Sequence, residues 1–356
     1  MTEPLLSIRD LRTVFHTDEG LVRAVDGVSF DVDRGETVCL VGESGSGKTV
    51  TGESITRLIR MPPGEIAGGE IVFDGRDLTT LSEDELRALR GDRIAHVFQN
   101  PQGALNPVYT VGWQIVEAIQ LHQDVSRSEA RSRGIDLLDR VGIPEATRRF
   151  DDYPHEFSGG MKQRVSLAMA LATNPDLLIA DEPTTALDVT IQNQILDLLR
   201  ELQAEFDMSI LLITHDLGVV AEVADRVVVM YAGKVMERGD VFDLFERPSH
   251  PYTRALLDCL PGRGDGGASS IGGKLPSPTD PPDGCRFHPR CEYAVDACRE
   301  GDQPPACAVD GDEDHVVSCV HYEPGGDPSI VRDEEAMPAD GGRALDGDGR
   351  ERGDRP

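Results

Sequence analysis

The chain has 356 residues, enough for a full hydrophobic core and for more than one domain. Its 64 acidic against 35 basic side chains leave a formal charge of -29, which repels a phosphate backbone over most of the surface and argues against nucleic acid as the main partner. No apolar run reaches the roughly 18 residues of a membrane helix, and residues 1–10 lack the basic-then-apolar pattern of a secretory signal, so the cytoplasm is the expected compartment. Lysine occurs only at Lys48, Lys162, Lys234 and Lys274, and arginine supplies the other cations. A surface so dense in carboxylates fits adaptation to high salt, against the simpler reading of an acidic, well-solvated surface. Seven cysteines, an odd number, read in a reducing compartment as thiols or metal ligands rather than as a disulfide framework.

In chain order, residues 5–38 alternate apolar runs with turn signals at Asp18-Glu19-Gly20 and Asp33-Arg34-Gly35, which predicts an antiparallel β layer. Residues 37–41 read as a short buried strand, followed by Gly42-Glu43-Ser44-Gly45-Ser46-Gly47-Lys48-Thr49 and a helix over 50–60 beginning at Val50. Over 111–141 apolar residues recur at helical spacing, Ile115, Ile119, Ile135 and Leu138 among them, until Pro144 ends the pattern. Strands at 177–180 and 210–214, separated by an amphipathic helix over 189–205, complete an α/β alternation that implies a parallel sheet. A Gly-rich, polar stretch opens after Leu260, residues 285–322 hold five of the seven cysteines, and the chain beyond Glu323 offers almost nothing to bury.

The glycine loop is the pattern in which backbone N–H groups close around phosphates; Lys48 adds a point charge and Thr49 a hydroxyl for Mg²⁺. The second strand ends in Asp181 and Glu182, two carboxylates where a buried run leaves the sheet. They suit a Mg²⁺ contact and the orientation or deprotonation of an attacking water, respectively. The third ends in Thr214-His215-Asp216, and ligands of open α/β sheets gather at the carboxyl ends of strands, which favours His215 as a γ-phosphate sensor. Gln99, after the apolar residues 94–98, is placed to join the Mg²⁺ shell or the water.

The run Phe157-Ser158-Gly159-Gly160-Met161-Lys162-Gln163-Arg164 resembles the signature of ATP-binding-cassette (ABC) proteins, with Phe157 and Met161 departing from the usual Leu and Gln. Ser158 can cap a helix whose N–H groups suit a γ-phosphate, and the glycines permit close backbone approach. The resemblance runs from residue 5 to about 258 and implies a P-loop NTPase cassette: a RecA-like parallel core, an antiparallel β subdomain and a helical insertion. On it, Phe15 matches the aromatic that stacks on adenine, Gln99 the Q-loop, Asp181 and Glu182 the Walker B pair, Ala186-Leu187-Asp188 the D-loop and His215 the switch histidine. It further implies a head-to-tail dimer with a second cassette, the same or paralogous, in which Ser158, Gly159 and Gly160 complete the ATP site of the facing subunit.

Residues 247–257, from Arg247-Pro248-Ser249-His250-Pro251-Tyr252, and 284–291 resemble the dipeptide and oligopeptide importers, a subfamily that includes some nickel importers. That likeness implies two membrane permease subunits, an extracytoplasmic solute-binding protein and a peripheral place on the cytoplasmic membrane face. Cys285, Cys291, Cys298 and Cys319 fall on a set similar to one that carries an iron–sulfur cluster in the subfamily. Four thiolates suit a [4Fe–4S] cluster or tetrahedral zinc, and spacing does not choose between these and free thiols. The expected organisation is an ATPase domain over 1–260 with an insertion at about 101–157, a linker over 261–284, a cysteine-rich domain over 285–323 and a disordered acidic tail over 324–356.

Overall fold

A computed structural model describes residues 3–99, 101–184, 189–260 and 271–332. Strands β1 (Leu6–Thr17) and β2 (Gly20–Val32) form an antiparallel hairpin with Leu6 opposite Val32 and Thr17 opposite Gly20. The chain then leaves this layer, and β3 (Thr37–Val41) lies in a different sheet, so the antiparallel run ends at Val32 rather than at residue 38. The turn that follows Val32 carries Thr37 and Val38 between two parallel neighbours instead. β4 (Gly64–Phe73) and the two-residue β5 (Arg76–Asp77) complete the first sheet in the order β2-β1-β4-β5.

The second sheet contains β6 (Ile94–Val97), β7 (Leu177–Asp181), β8 (Ser209–Thr214), β9 (Arg226–Tyr231), β10 (Lys234–Asp240), β11 (Cys307–Val309) and β12 (Asp312–Val317) beside β3. Its order is β11-β12-β10-β9-β3-β8-β7-β6, parallel from β9 to β6 and antiparallel beyond β9. Its central strands are covered on both faces, which is why β3 and β8 read as unbroken apolar runs. Side chains alternate across the sheet. Val38 and Leu40 face the antiparallel layer and the helix Lys48–Ile55, while Cys39 and Val41 face the core shared with the remaining helices. Cys39 is thus a packing residue, and burial pushes its thiol far up.

The helix after the glycine loop is shorter than its apolar pattern suggests: it stops at Ile55, and Arg57 takes a left-handed φ of 50°. The two long helices of the insertion, Val111–His122 and Arg127–Arg140, are each started by a side-chain oxygen, of Thr110 and Ser126, that accepts a backbone N–H in the first turn. The chain between them is extended at Gln123, so the single pattern over 111–141 is two helices.

The C-terminal segment continues the cassette sheet, because Glu237 and Arg238 of β10 pair with Val317 and Val316 of β12. Cys285, Phe287 and Cys298 belong to the same buried cluster as the parallel strands. The expected linker is described from residue 271 and the expected tail as far as 332; the rest of both lies outside the described residues. Within that part of the tail Val331 is fully buried, and its carbonyl accepts a hydrogen bond from Arg254.

Candidate nucleotide site

β3 delivers the glycine loop at the carboxyl end of the parallel strands. A Cβ on Gly42, at φ 148°, would lie 2.1 Å from the Met230 carbonyl oxygen, and one on Gly47, at φ 102°, 2.2 Å from that of Ala24. Only glycine fits either position. Lys48 opens the helix with no side-chain cap, which leaves first-turn N–H donors for an anion. Its buried ammonium donates to the carbonyls of Gly42 (2.7 Å) and Glu43 (2.9 Å), so the loop itself occupies the lysine. Desolvation lowers the Lys48 pKa, against upward pulls from Glu182, Asp181 and Glu43. Ser44, Gly45 and Thr49 are exposed, Ser46 is buried, and Val50 packs partly against the antiparallel layer.

Three more strand ends open beside the loop, because parallel register puts Val97 next to Ala180 and Asp181 next to Ile213. Glu182 follows β7 with a left-handed φ of 45°, held by its N–H donating to the Ile213 carbonyl at 2.8 Å. Its carboxylate accepts from Gln99 Nε2 at 2.8 Å and lies 3.0 Å from His215 Nδ1. Thr49 hydrogen-bonds the Asp181 carboxyl, which burial and the neighbouring Glu182 push above the usual carboxylate range. The other Asp181 oxygen, Oδ1, is buried without a protein partner. An orphan carboxylate oxygen beside a hydroxyl suits a divalent cation bound by oxygen ligands. The pressure extends to Glu53, whose carboxyl is raised by burial and by Asp181.

The other sequence-derived residues are dispersed. Ser158 accepts the Met161 N–H at 3.3 Å and caps the helix Gly159–Ala170; Ser158 and Gly159 are exposed and Gly160 is half-exposed. Phe15 is half-buried on β1, with its ring edge 3.1 Å from where a Cβ on Gly64 would sit. Asp188, with Ala186 and Leu187, lies outside the described residues.

Cys285, Cys298 and Cys319 are buried and Cys291 half-buried. The four are close enough to act on one another. Burial, with the other three cysteines adding to it, pushes the Cys319 thiol up to about 12, and burial with Cys285 and Cys298 pushes Cys291 up to about 11. Cys307 is half-exposed, and no other cysteine acts on it. Among the described residues no group of three or more His, Cys, Asp or Glu side chains is arranged to hold a metal ion.

Two residues that local patterns do not disclose also reach the loop. The Tyr252 hydroxyl accepts the Glu43 N–H at 2.9 Å, and Arg290 binds the Glu43 carboxylate. Both lie in segments already marked by resemblance, but nothing in their spacing points back to residue 43.

The family model described as ABC transporter matches residues 25–185, and one described as oligopeptide/dipeptide transporter, C-terminal region, matches 236–298. A Brucella ovis protein named as a peptide import ATP-binding protein is 50% identical over 334 residues, 90% of this chain and 98% of its own length. The chain belongs to the ABC transporter family as an ATP-binding protein of the oligopeptide/dipeptide type. The oligopeptide transport ATP-binding protein of Bacillus subtilis is 52% identical over 84% of this chain and 85% of its own. Among solved structures, an ATP-binding cassette in a dimeric post-hydrolysis state with ADP and phosphate superimposes with a TM-score of 0.60 at 29% identity, covering 66% of this chain and 98% of that one. The fold is that of an ABC ATPase, and ATP with Mg²⁺ is the ligand the family implies. No helix among the described residues is long and apolar enough to cross a membrane.

Proposed function

We propose that this ABC ATPase powers the uptake of di- and oligopeptides as one half of a head-to-tail cassette dimer, seated on two permease subunits at the cytoplasmic membrane face. The observation that carries the reading is the match of residues 236–298 to the oligopeptide/dipeptide C-terminal region, since the cassette alone is common to many transporters. The second cassette is a copy or a paralogue, and a solute-binding protein outside the membrane delivers the peptide. The groove beside Gln99 and the helical insertion is read as the seat of a permease helix, and on the insertion Trp113 and Leu121, the latter 74% exposed, line one concave surface.

In this reading the loop from Gly42 through Val50 receives the phosphates, and Lys48 exchanges its two loop carbonyls for phosphate oxygens. Phe15 stacks on adenine. Thr49, Gln99 and Asp181 would hold Mg²⁺, which when bound would supply positive charge against the phosphates. Glu182 orients and deprotonates water, and His215, already against the same carboxylate, senses the γ-phosphate. Ser158, Gly159, Gly160 and Asp188 complete the site of the partner cassette, so closure follows ATP binding and release follows hydrolysis. Transport assays in vesicles holding the chain and its co-purifying permeases test this. ATP-dependent peptide uptake supports the reading; uptake of nickel and no peptide replaces the substrate, and ATP hydrolysis with no uptake of any solute overturns the transport role.

Cys285, Cys291, Cys298 and Cys319 are read as ligands of a [4Fe–4S] cluster, with tetrahedral zinc as the alternative, and the support is that the four thiols are largely buried and near enough to act on one another. Anaerobic protein free of iron and of absorbance at the blue end of the visible range would remove this assignment, and stoichiometric zinc would replace it. The charge of -29 supports a high-salt habitat, which full folding and ATPase activity at low salt would refute.

A further inference from the structure

Glu43, the second residue of the phosphate loop, is held at three points. Its N–H goes to the Tyr252 hydroxyl at 2.9 Å, its carbonyl accepts from Lys48 at 2.9 Å, and its carboxylate accepts from Arg290 Nη1 at 2.8 and 3.1 Å. Arg290 comes from the short turn His288–Arg290, directly before Cys291, and only 4% of its side chain is exposed. Its guanidinium is fixed from every other side. Nε donates to the Gly272 carbonyl at 2.7 Å, Nη2 to that of Ile271 at 3.0 Å, and Nη1 also to the Tyr231 hydroxyl at 3.2 Å, with the guanidinium carbon 5.6 Å from the Tyr231 ring centroid. The segment that supplies the Ile271 and Gly272 carbonyls also reaches the loop, where the Leu275 side chain lies 3.4 Å from a Cβ position on Gly45.

A carboxylate inside a loop that must receive a triphosphate is unfavourable unless a cation neutralises it, and a fixed fork does so without mobility. We propose that Arg290 is a positioning residue of the nucleotide site: reaching from the cysteine segment, it neutralises and holds Glu43 and thereby sets the shape in which the phosphate loop accepts ATP. The contribution is to binding rather than to bond cleavage, because Arg290 contacts neither Glu182, Gln99 nor His215 in the hydrogen bonds it makes. The cysteine segment and the ATP site are then mechanically one unit.

The test is ATP affinity and turnover of the full-length protein carrying Arg290→Ala, Arg290→Lys, Glu43→Gln and the Arg290→Ala/Glu43→Gln pair. Arg290→Ala is expected to raise the Kd for ATP about tenfold while kcat at saturating ATP stays within about twofold, as for loss of one charge-assisted bond outside the reacting atoms. Arg290→Lys keeps the charge without the fork and falls between. The double variant is expected to bind ATP no more weakly than Arg290→Ala, since removing the uncompensated carboxylate relieves the loss. An unchanged Kd in Arg290→Ala, an equal fall in kcat, or a double variant weaker than Arg290→Ala overturns the proposal. If Arg290→Ala does not fold, Arg290→Lys against Arg290→Lys/Glu43→Gln makes the same comparison: weaker ATP binding relieved in the pair supports the proposal, and unchanged binding or a still weaker pair overturns it.

Discussion

The nucleotide site and the C-terminal segment hold their polar groups in opposite ways. At the strand ends Glu182, Gln99 and His215 meet near the surface, with His215 more than half exposed, so their bonds can be remade around a substrate. At the other end of the sheet Glu237 and His315 pair at 2.8 Å with exposures of 0 and 1%. The Glu237 carboxylate also accepts the N–H groups of Ser249 and His250 at 2.8 Å each. Polar groups in the first place serve exchange; in the second they fasten one part of the chain to another, and breaking them leaves charges with nowhere to go.

If that contrast is right, variants of the two regions separate into loss of turnover and loss of stability. The largest effect is expected from Glu182→Gln, which should lower ATP turnover about 100- to 1,000-fold with little change in melting temperature and should trap an ATP-bound dimer visible by size exclusion. Persisting turnover would remove Glu182 from its role with water. The contrast concerns polar side chains and not the loop's backbone, so Gly47→Ala in the nucleotide site should cost about 3 kcal/mol or more, because a methyl would strike the Ala24 carbonyl in a backbone conformation that alanine resists; denaturant unfolding reads this directly.

Glu237→Ala should destabilise by about 3 kcal/mol in urea, leaving two buried N–H donors and His315 unsatisfied, while the ATP Kd moves little. An equal effect on affinity would erase the contrast. The smallest shift concerns pH. His250 is fully buried and desolvation holds it down at about 3, so the unfolded chain takes a proton near 6.5 that the native state refuses. Its stabilising contribution is therefore complete above pH 6.5 and is lost as pH falls toward 3, about 2 kcal/mol between pH 7 and 5. His250→Asn, which keeps an acceptor for the Tyr252 N–H, should flatten that part of the stability profile.

The two regions also differed in legibility. Strand, glycine loop and helix are contiguous, and the carboxyl ends of parallel strands gather on one side, so Gln99, Glu182 and His215 could be assembled from sequence although the first two are 83 residues apart. The alternation of Val38 and Leu40 against Cys39 and Val41 was not distinguishable within one apolar run, since a strand buried on both faces shows no period. Cysteine spacing marked Cys285 and Cys298 but gave no sign that they pack with the parallel strands. Glu43 is marked by its place in the glycine loop, but Arg290, 247 residues away, looks like ordinary surface charge, and only the fold brings the two together.

The pairing of β12 with β10 has one further consequence. A chain cut at the composition break after Leu260 would retain every nucleotide-binding motif yet leave β10 as a bare edge strand, with its unsatisfied amides facing solvent and Glu237 stripped of His315. Such a fragment would be prone to stack edge to edge with its copies, so the boundary suggested by composition is a poor place to trim this protein.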